Sequence, residues 1–153
     1  MVKSYVAAKR KEPAVADQAI QVKDFMTTKL FTFSPSDSMH MVMDTLAQNG
    51  ISGGPVIDNR GRLVGVISEG DCLKQVVRGK YLNTPELIGE VRDYMTTDII
   101  TVKPEENIME VANKFLKLRV RRFPVLEGEK LVGQISQRDV MIAVQNLQHE
   151  RWR

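Results

Sequence analysis

Helical spacing of apolar residues alternates with short β-rich runs along the chain, and the alternation occurs twice. Met39, Val42, Met43, Leu46 and Ala47 fall at i, i+3, i+4, i+7 and i+8, and Ile108, Val111, Ala112, Phe115 and Leu116 repeat those offsets. Each set predicts an amphipathic helix. Residues 30–33 and 99–102, rich in β-formers and closed by a nearby proline, predict a short strand ahead of each helix. Asp37 and Glu105-Glu106 fall in or before the first helical turn, where the helix dipole favours acids, and Asn49-Gly50 is a stop signal. A Pro-Val pair then opens a strand, a polar turn follows, and residues 63–67 or 131–135 return as its hairpin partner. A last helix is predicted over 68–77 and over 136–145. The order is β-α-β-β-α, twice.

The two halves are also alike residue by residue, which marks an internal repeat. Val22, Asp24, Met26, Thr27, Thr28, Thr32, Pro35 and Val42 return as Val91, Asp93, Met95, Thr96, Thr97, Thr101, Pro104 and Val111. Pro55-Val56 returns as Pro124-Val125, Leu63-Val64-Gly65 as Leu131-Val132-Gly133, and Ser68 and Asp71 as Ser136 and Asp139. The domain organisation read from this is an N-terminal arm over 1–21, repeats over 22–77 and 91–144, a connector over 78–90 and a tail over 145–153. Thr84-Pro85-Glu86 in the connector has the pattern of a short helix start. A half this short is marginal for burying a core by itself. The fold class expected is therefore α/β (α+β), with two repeats packed about a pseudo-two-fold axis.

Composition removes several function classes. Of 153 residues, 22 are basic and 19 acidic, and the net charge of +3 is too small to argue for a nucleic-acid partner. One cysteine excludes an intramolecular disulfide framework and a cysteine-based zinc cluster, and suits a reducing compartment. His40 and His149 have no metal-binding spacing, so neither metal nor catalytic set is expected. Cys72 aligns with Val140 and reads as a small buried hydrophobe, and the eight methionines as core packing. No apolar run approaches the ~18–20 residues of a membrane span. The N-terminal residues MVKSYVAAKRKEP lack the apolar stretch of a signal peptide, so a cytoplasmic protein is expected. The Lys9–Lys11 run reads as a solvated arm.

The lead-in V-x-D-[FY]-M-T-T, the T-[FV]-x-P passage, the Pro-Val strand and the L-V-G-[VQ]-I-S-x-x-D junction, in this order and in duplicate, closely resemble a tandem pair of CBS domains. The resemblance covers residues 22–144. It implies a non-catalytic module that binds an adenosine-containing ligand (AMP, ADP, ATP or S-adenosylmethionine) in clefts between the repeats. It also implies association into a homodimer, with no cofactor required.

The family's [ST]-x-x-D motif is assigned to the ribose, and it falls on Ser68 and Asp71 and on Ser136 and Asp139. By spacing alone the same four residues read sooner as capping boxes; the duplicated family context turns the reading toward the site, and both roles can coexist. In the family the first strand and the segment before Pro-Val complete the pocket, here Thr32 and Pro55 in one half and Thr101, Phe123 and Pro124 in the other. The second half alone carries Arg121, Arg122 and Arg138, and arginine forks suit phosphate oxygens. The expectation is unequal occupancy, with stronger phosphate binding where these three side chains converge; a merely exposed basic face is the competing reading. Function is thus expected to be ligand sensing, signalled to a separate effector protein. A constitutive dimerisation scaffold with vestigial clefts is the alternative.

Overall fold

The protein, described as a computed structural model, has residues 20–81 and 89–151 placed, so the Lys9–Lys11 run, the Thr84-Pro85-Glu86 helix start and Trp152 lie outside the described residues. Its elements in chain order are α1 (Val22–Phe25), α2 (Met39–Asn49), β1 (Gly53–Ile57), β2 (Leu63–Ser68), α3 (Glu69–Tyr81), α4 (Val91–Tyr94), α5 (Ile108–Leu118), β3 (Arg122–Glu127), β4 (Lys130–Ser136) and α6 (Gln137–Arg151). Both terminal helices extend beyond the ranges predicted for them. Two antiparallel hairpins, β1–β2 and β3–β4, form the sheets, each with a register irregularity at the same place, Val56/Ile57 and Val125/Leu126.

The strand expected ahead of each long helix contracts to a single parallel bridge, Phe33 to Val56 and Val102 to Val125. Phe33 donates its N–H to Pro55 O and accepts from Ile57 N–H, and Val102 does the same with Pro124 and Leu126. Pairing stops there because Pro35 and Pro104 begin the turn into the helix. The acids lie just before the first turn of those helices, as expected. Ser38 and Asn107 are the N-caps, their side chains accepting from Met41 N–H and Met109 N–H. Asp37 and Glu106 close the preceding turn, accepting from the backbone of Ser34 and Lys103 at 2.7 and 2.6 Å. The buried stripes are narrower than the periodicity predicts: Met39, Val42 and Leu46, and Ile108, Val111 and Phe115, are buried, but Ala47 and Leu116 are exposed.

At their C-termini the two copies solve one problem with different residues. Gly50 ends α2 in the left-handed conformation, φ 60°, and its N–H returns to Leu46 O. Arg119 ends α5 with the same geometry at φ 53°. A side chain there carries the strain that glycine avoids. Arg119→Gly is expected to stabilise the protein by about 0.5–1 kcal/mol, read as a higher urea midpoint at unchanged slope.

Each repeat completes its core with a piece of the other. One cluster holds Val102, Ile108, Val111, Phe115, Phe123, Val125, Ile135, Val140 and Ala143, and with them Val22 from the start of the first repeat. The other holds Phe33, Met39, Val42, Leu46, Val56, Ile67 and Cys72, and with them Val91 from the start of the second. Backbone bonds follow the same exchange. Val22 and Lys23 donate to Glu106 O and Pro104 O, and Val91 and Arg92 donate to Asp37 O and Pro35 O. Beyond the short helices, Thr27 bridges Gln134 and Thr96 bridges Val66. The pseudo-two-fold packing of the repeats is therefore a reciprocal handover of lead-in segments.

As expected, Cys72 is buried, and burial pushes its thiol above the usual range, with Asp71 and Glu69 adding to the effect. His40 and His149 are exposed. Met26 and Met95 are half-buried against the neighbouring repeat's core. Among the described residues no helix is long and apolar enough to cross a membrane, and no group of His, Cys, Asp or Glu is placed to hold a metal.

Candidate functional site

The Ser-x-x-Asp motifs sit where β2 passes into α3 and β4 into α6. Asp71 Oδ2 accepts the Ser68 backbone N–H at 2.8 Å and the Ser68 hydroxyl at 3.0 Å. In the second copy Asp139 Oδ2 accepts the Ser136 N–H at 2.9 Å, and Asp139 N–H donates back to Ser136 Oγ at 3.1 Å. The second corner is a reciprocal capping box, and the first is a close variant of one. Asp71 is turned inward and only 5% exposed. The segment before each Pro-Val pair is tied to its own corner, with Glu69 N–H donating to Ser52 O at 2.9 Å and Gln137 N–H to Arg121 O at 3.2 Å.

Between the repeats lies a cleft of about 530 Å³, a size within the roughly 300–1,000 Å³ of small-ligand sites. The first repeat contributes Ser52, Gly53 and Gly54 and the corner residues Ser68, Glu69 and Gly70, with Leu73 of α3 beside them. The second contributes Thr96, Asp98, Ile99 and Ile100 after its lead-in, and Val120 to Pro124. The lining is aliphatic and aromatic at Val66, Ile67, Leu73, Ile99, Ile100 and Phe123, and charged at Arg121, Arg122, Glu69 and Asp98. The N-terminus of α3, where Glu69 and Gly70 lie, adds positive potential. Apolar lining together with guanidinium groups can hold a flat heterocycle and an attached anion.

Arg122 crosses the boundary between the repeats. Its Nη1 donates to Gly53 O at 3.2 Å and its Nη2 donates to the Ser52 hydroxyl. Burial holds its pKa below the usual arginine range, Arg121 beside it pushes the same way, and Glu69 opposes both.

Of the residues singled out in the sequence, Ser68, Arg121, Arg122, Phe123 and Pro124 line this cleft. Asp71 lies directly behind Ser68 without lining it, and Pro55, Thr101, Ser136, Arg138 and Asp139 do not line it either. Thr32 lines a second cleft of about 690 Å³ at the hairpin ends, together with Thr28, Arg60, Arg62 and Lys130. The expected convergence of three arginines is thus divided. Arg121 and Arg122 face the corner of the first repeat, while Arg138 starts α6 at the other corner. Ser52, Glu69, Asp98 and Ile100 were not singled out. Their signal was spatial, since they come from three separate segments.

Comparison with known proteins places this geometry. The model of the CBS domain matches residues 22–78 and again 91–146. The uncharacterized protein MJ1426 of Methanocaldococcus jannaschii is 28% identical over 152 residues, covering 80% of this chain and 90% of that protein. The crystal structure of CBSX2 from Arabidopsis thaliana in complex with AMP superposes with a TM-score of 0.74 at 30% identity, covering 84% of this chain and 98% of that one. The CBS domain pair of MJ0100, in complex with 5′-methylthioadenosine and S-adenosyl-L-methionine, shares the fold at a TM-score of 0.69 and 24% identity, over 83% of this chain and 97% of that one. Two longer relatives are a dehydrogenase and a nucleotidyltransferase, of which the chain spans 24% and 14%.

Proposed function

The chain belongs to the CBS domain family, and from that premise we propose that it is a non-catalytic regulatory module whose inter-repeat cleft binds an adenosine phosphate. The observation that carries this reading is the cleft itself, where the Ser68–Gly70 corner of one repeat meets Arg121–Pro124 of the other. A helix N-terminus, two guanidinium groups and apolar side chains line it together, which suits a phosphate joined to a base. The AMP complex of CBSX2, at 30% identity, supports AMP as the first ligand to try. A ligand held by both repeats favours one arrangement of the pair over another, and this difference in affinity is what an effector can read.

The exposed side of the terminal helices supports association into a homodimer. Leu73, Val76 and Val77 stand at i, i+3 and i+4 on α3 with exposures of 64%, 45% and 53%, and Met141 and Ile142 are exposed on α6. A constitutive scaffold would use these faces and leave the cleft idle.

Thermal melting with AMP, ADP, ATP and S-adenosylmethionine separates the two readings, because a ligand that binds only the native state raises its stability. AMP is expected to raise Tm. Calorimetry on Asp71→Ala and Asp139→Ala should then show the larger loss of AMP affinity for Asp71→Ala, the residue behind the lined corner. No shift with any of the four compounds would leave the scaffold reading in possession.

A further inference from the structure

Arg62 and Lys130 are equivalent positions, each standing just ahead of its Leu-Val-Gly run. In the structure they meet as an antiparallel bridge where the two hairpins end, so two cations oppose each other across the pseudo-two-fold axis. Like charges directly opposite one another in an antiparallel pair are destabilising. The chain relieves this pair only in part. Asp58 Oδ2 accepts the Arg62 Nε–H at 2.9 Å, which leaves both Nη groups uncommitted. Lys130 makes no ion pair among the described residues, and neither does Arg60, a third cation from the same turn as Asp58.

All three cations line the cleft of about 690 Å³ at the hairpin ends, which shares no lining residue with the cleft at Ser68. Between the bridges at Thr27 and Phe33 every second residue, Thr28, Leu30 and Thr32, lines it as well. The hydroxyls of Thr28 and Thr32 have no hydrogen-bond partner among the described residues. Glu129 is in the same lining and pairs with none of the cations, so three positive charges stand there against one negative. We propose that this cleft is a second anion site, taking a small phosphate-bearing ligand whose phosphate lies over the Arg62–Lys130 bridge. A phosphate monoester carries about −1.5 to −2 at neutral pH, which matches an excess of two with Asp58 behind Arg62. Placed over the bridge, it turns one repulsion into two attractions, and the free Arg62 Nη groups and the Lys130 ammonium both donate to its oxygens. Arg60 and the two hydroxyls supply further donors. Leu30, Ile57 and Leu131 leave apolar surface for a small organic part. The site stands apart from the adenosine reading and does not depend on it.

The test follows melting of the full chain with inorganic pyrophosphate, and separately with ribose 5-phosphate, in wild type, Lys130→Gln, Lys130→Arg, Arg60→Gln and Arg122→Gln. At a tenfold excess over its Kd, pyrophosphate should raise the wild-type Tm by about 3–6 °C. Lys130→Gln and Arg60→Gln should each weaken its binding about tenfold, whereas Lys130→Arg and Arg122→Gln should keep it. Without any anion, Lys130→Gln should melt about 1–3 °C above wild type, because the opposed charges are gone. A shift with ribose 5-phosphate that Lys130→Gln abolishes supports a phosphate ester as the ligand, and a shift with pyrophosphate alone supports the free anion. The proposal is overturned by no shift with either probe in wild type, or by shifts that persist in both Lys130→Gln and Arg60→Gln. Loss of the shift in Arg122→Gln would also overturn it, since the anion would then sit in the other cleft. Melting of anion-free Lys130→Gln below wild type would remove its electrostatic premise. Neither probe carries a base, so failure of the adenosine reading leaves this test standing.

Discussion

Phe123→Ala is expected to bring the protein close to unfolding at 25 °C. The ring is 1% exposed and stacks on Phe115 with centroids 4.4 Å apart. Removing a buried phenylalanine costs about 3–5 kcal/mol, and the lost ring pair adds about 0.5–1.5 kcal/mol. A domain of ordinary stability has only about 5–15 kcal/mol in total. A urea titration followed by circular dichroism should show the midpoint falling by a third or more with the slope unchanged. Phe123→Leu keeps most of the volume and should cost much less. A loss for Phe123→Ala below about 1 kcal/mol, the range of tolerated volume-conserving swaps, would mean that the ring is not the keystone its packing indicates.

The second large effect concerns where the molecule can be cut. The first repeat read from the sequence, carried on to the end of α3, gives residues 22–81 as a half, but this piece lacks Val91, which is fully buried in its core, and carries Val22, which belongs in the other core. A piece covering residues 29–97 has Val91 and the Thr96 bridge to Val66. Hydrogen exchange should find little amide protection in 22–81 and measurable protection in β1, β2 and α2 of 29–97, although neither half approaches the stability of the pair. In the intact chain Val22→Ala and Val91→Ala should each cost about 2 kcal/mol, from two methyl groups at ~0.8 kcal/mol each plus the cavity left behind. Protection of 22–81 equal to that of 29–97 would show that the exchanged valines are dispensable.

The contrast shows what kind of information a single sequence holds. Periodicity disclosed α2 and α5, because the residues that make a stripe are close in the chain. Duplication disclosed the hairpins, because Leu-Val-Gly and Pro-Val each appear twice. The lead-ins were visible as the most similar stretch of all, yet their similarity says nothing of which core receives them. That is decided by contacts between residues far apart in the chain, such as Val22 with Glu106 and Val91 with Asp37. The candidate site divides in the same way. Ser68, Arg121 and Arg122 were legible as motif and charge. That Arg122 ends in the lap of Ser52 was not, because residues seventy apart in sequence carry no local mark of meeting. The Ser-x-x-Asp corners were legible as two roles at once, and the geometry shows the capping role in both.

The handover of lead-ins has a consequence for how such a chain could arise. A single copy of the repeat would present an open core and, at the same time, a valine-bearing segment with no place to dock. Two separate copies could satisfy each other only by symmetric exchange, as a swapped dimer whose stability falls with dilution. Joining the copies in tandem makes that exchange intramolecular, so that the docking segment is supplied at a fixed effective concentration set by the linker. Within one chain the two equivalent positions can also differ, as they do here, where one is Arg122 and the other is Gly53, whose carbonyl accepts from it.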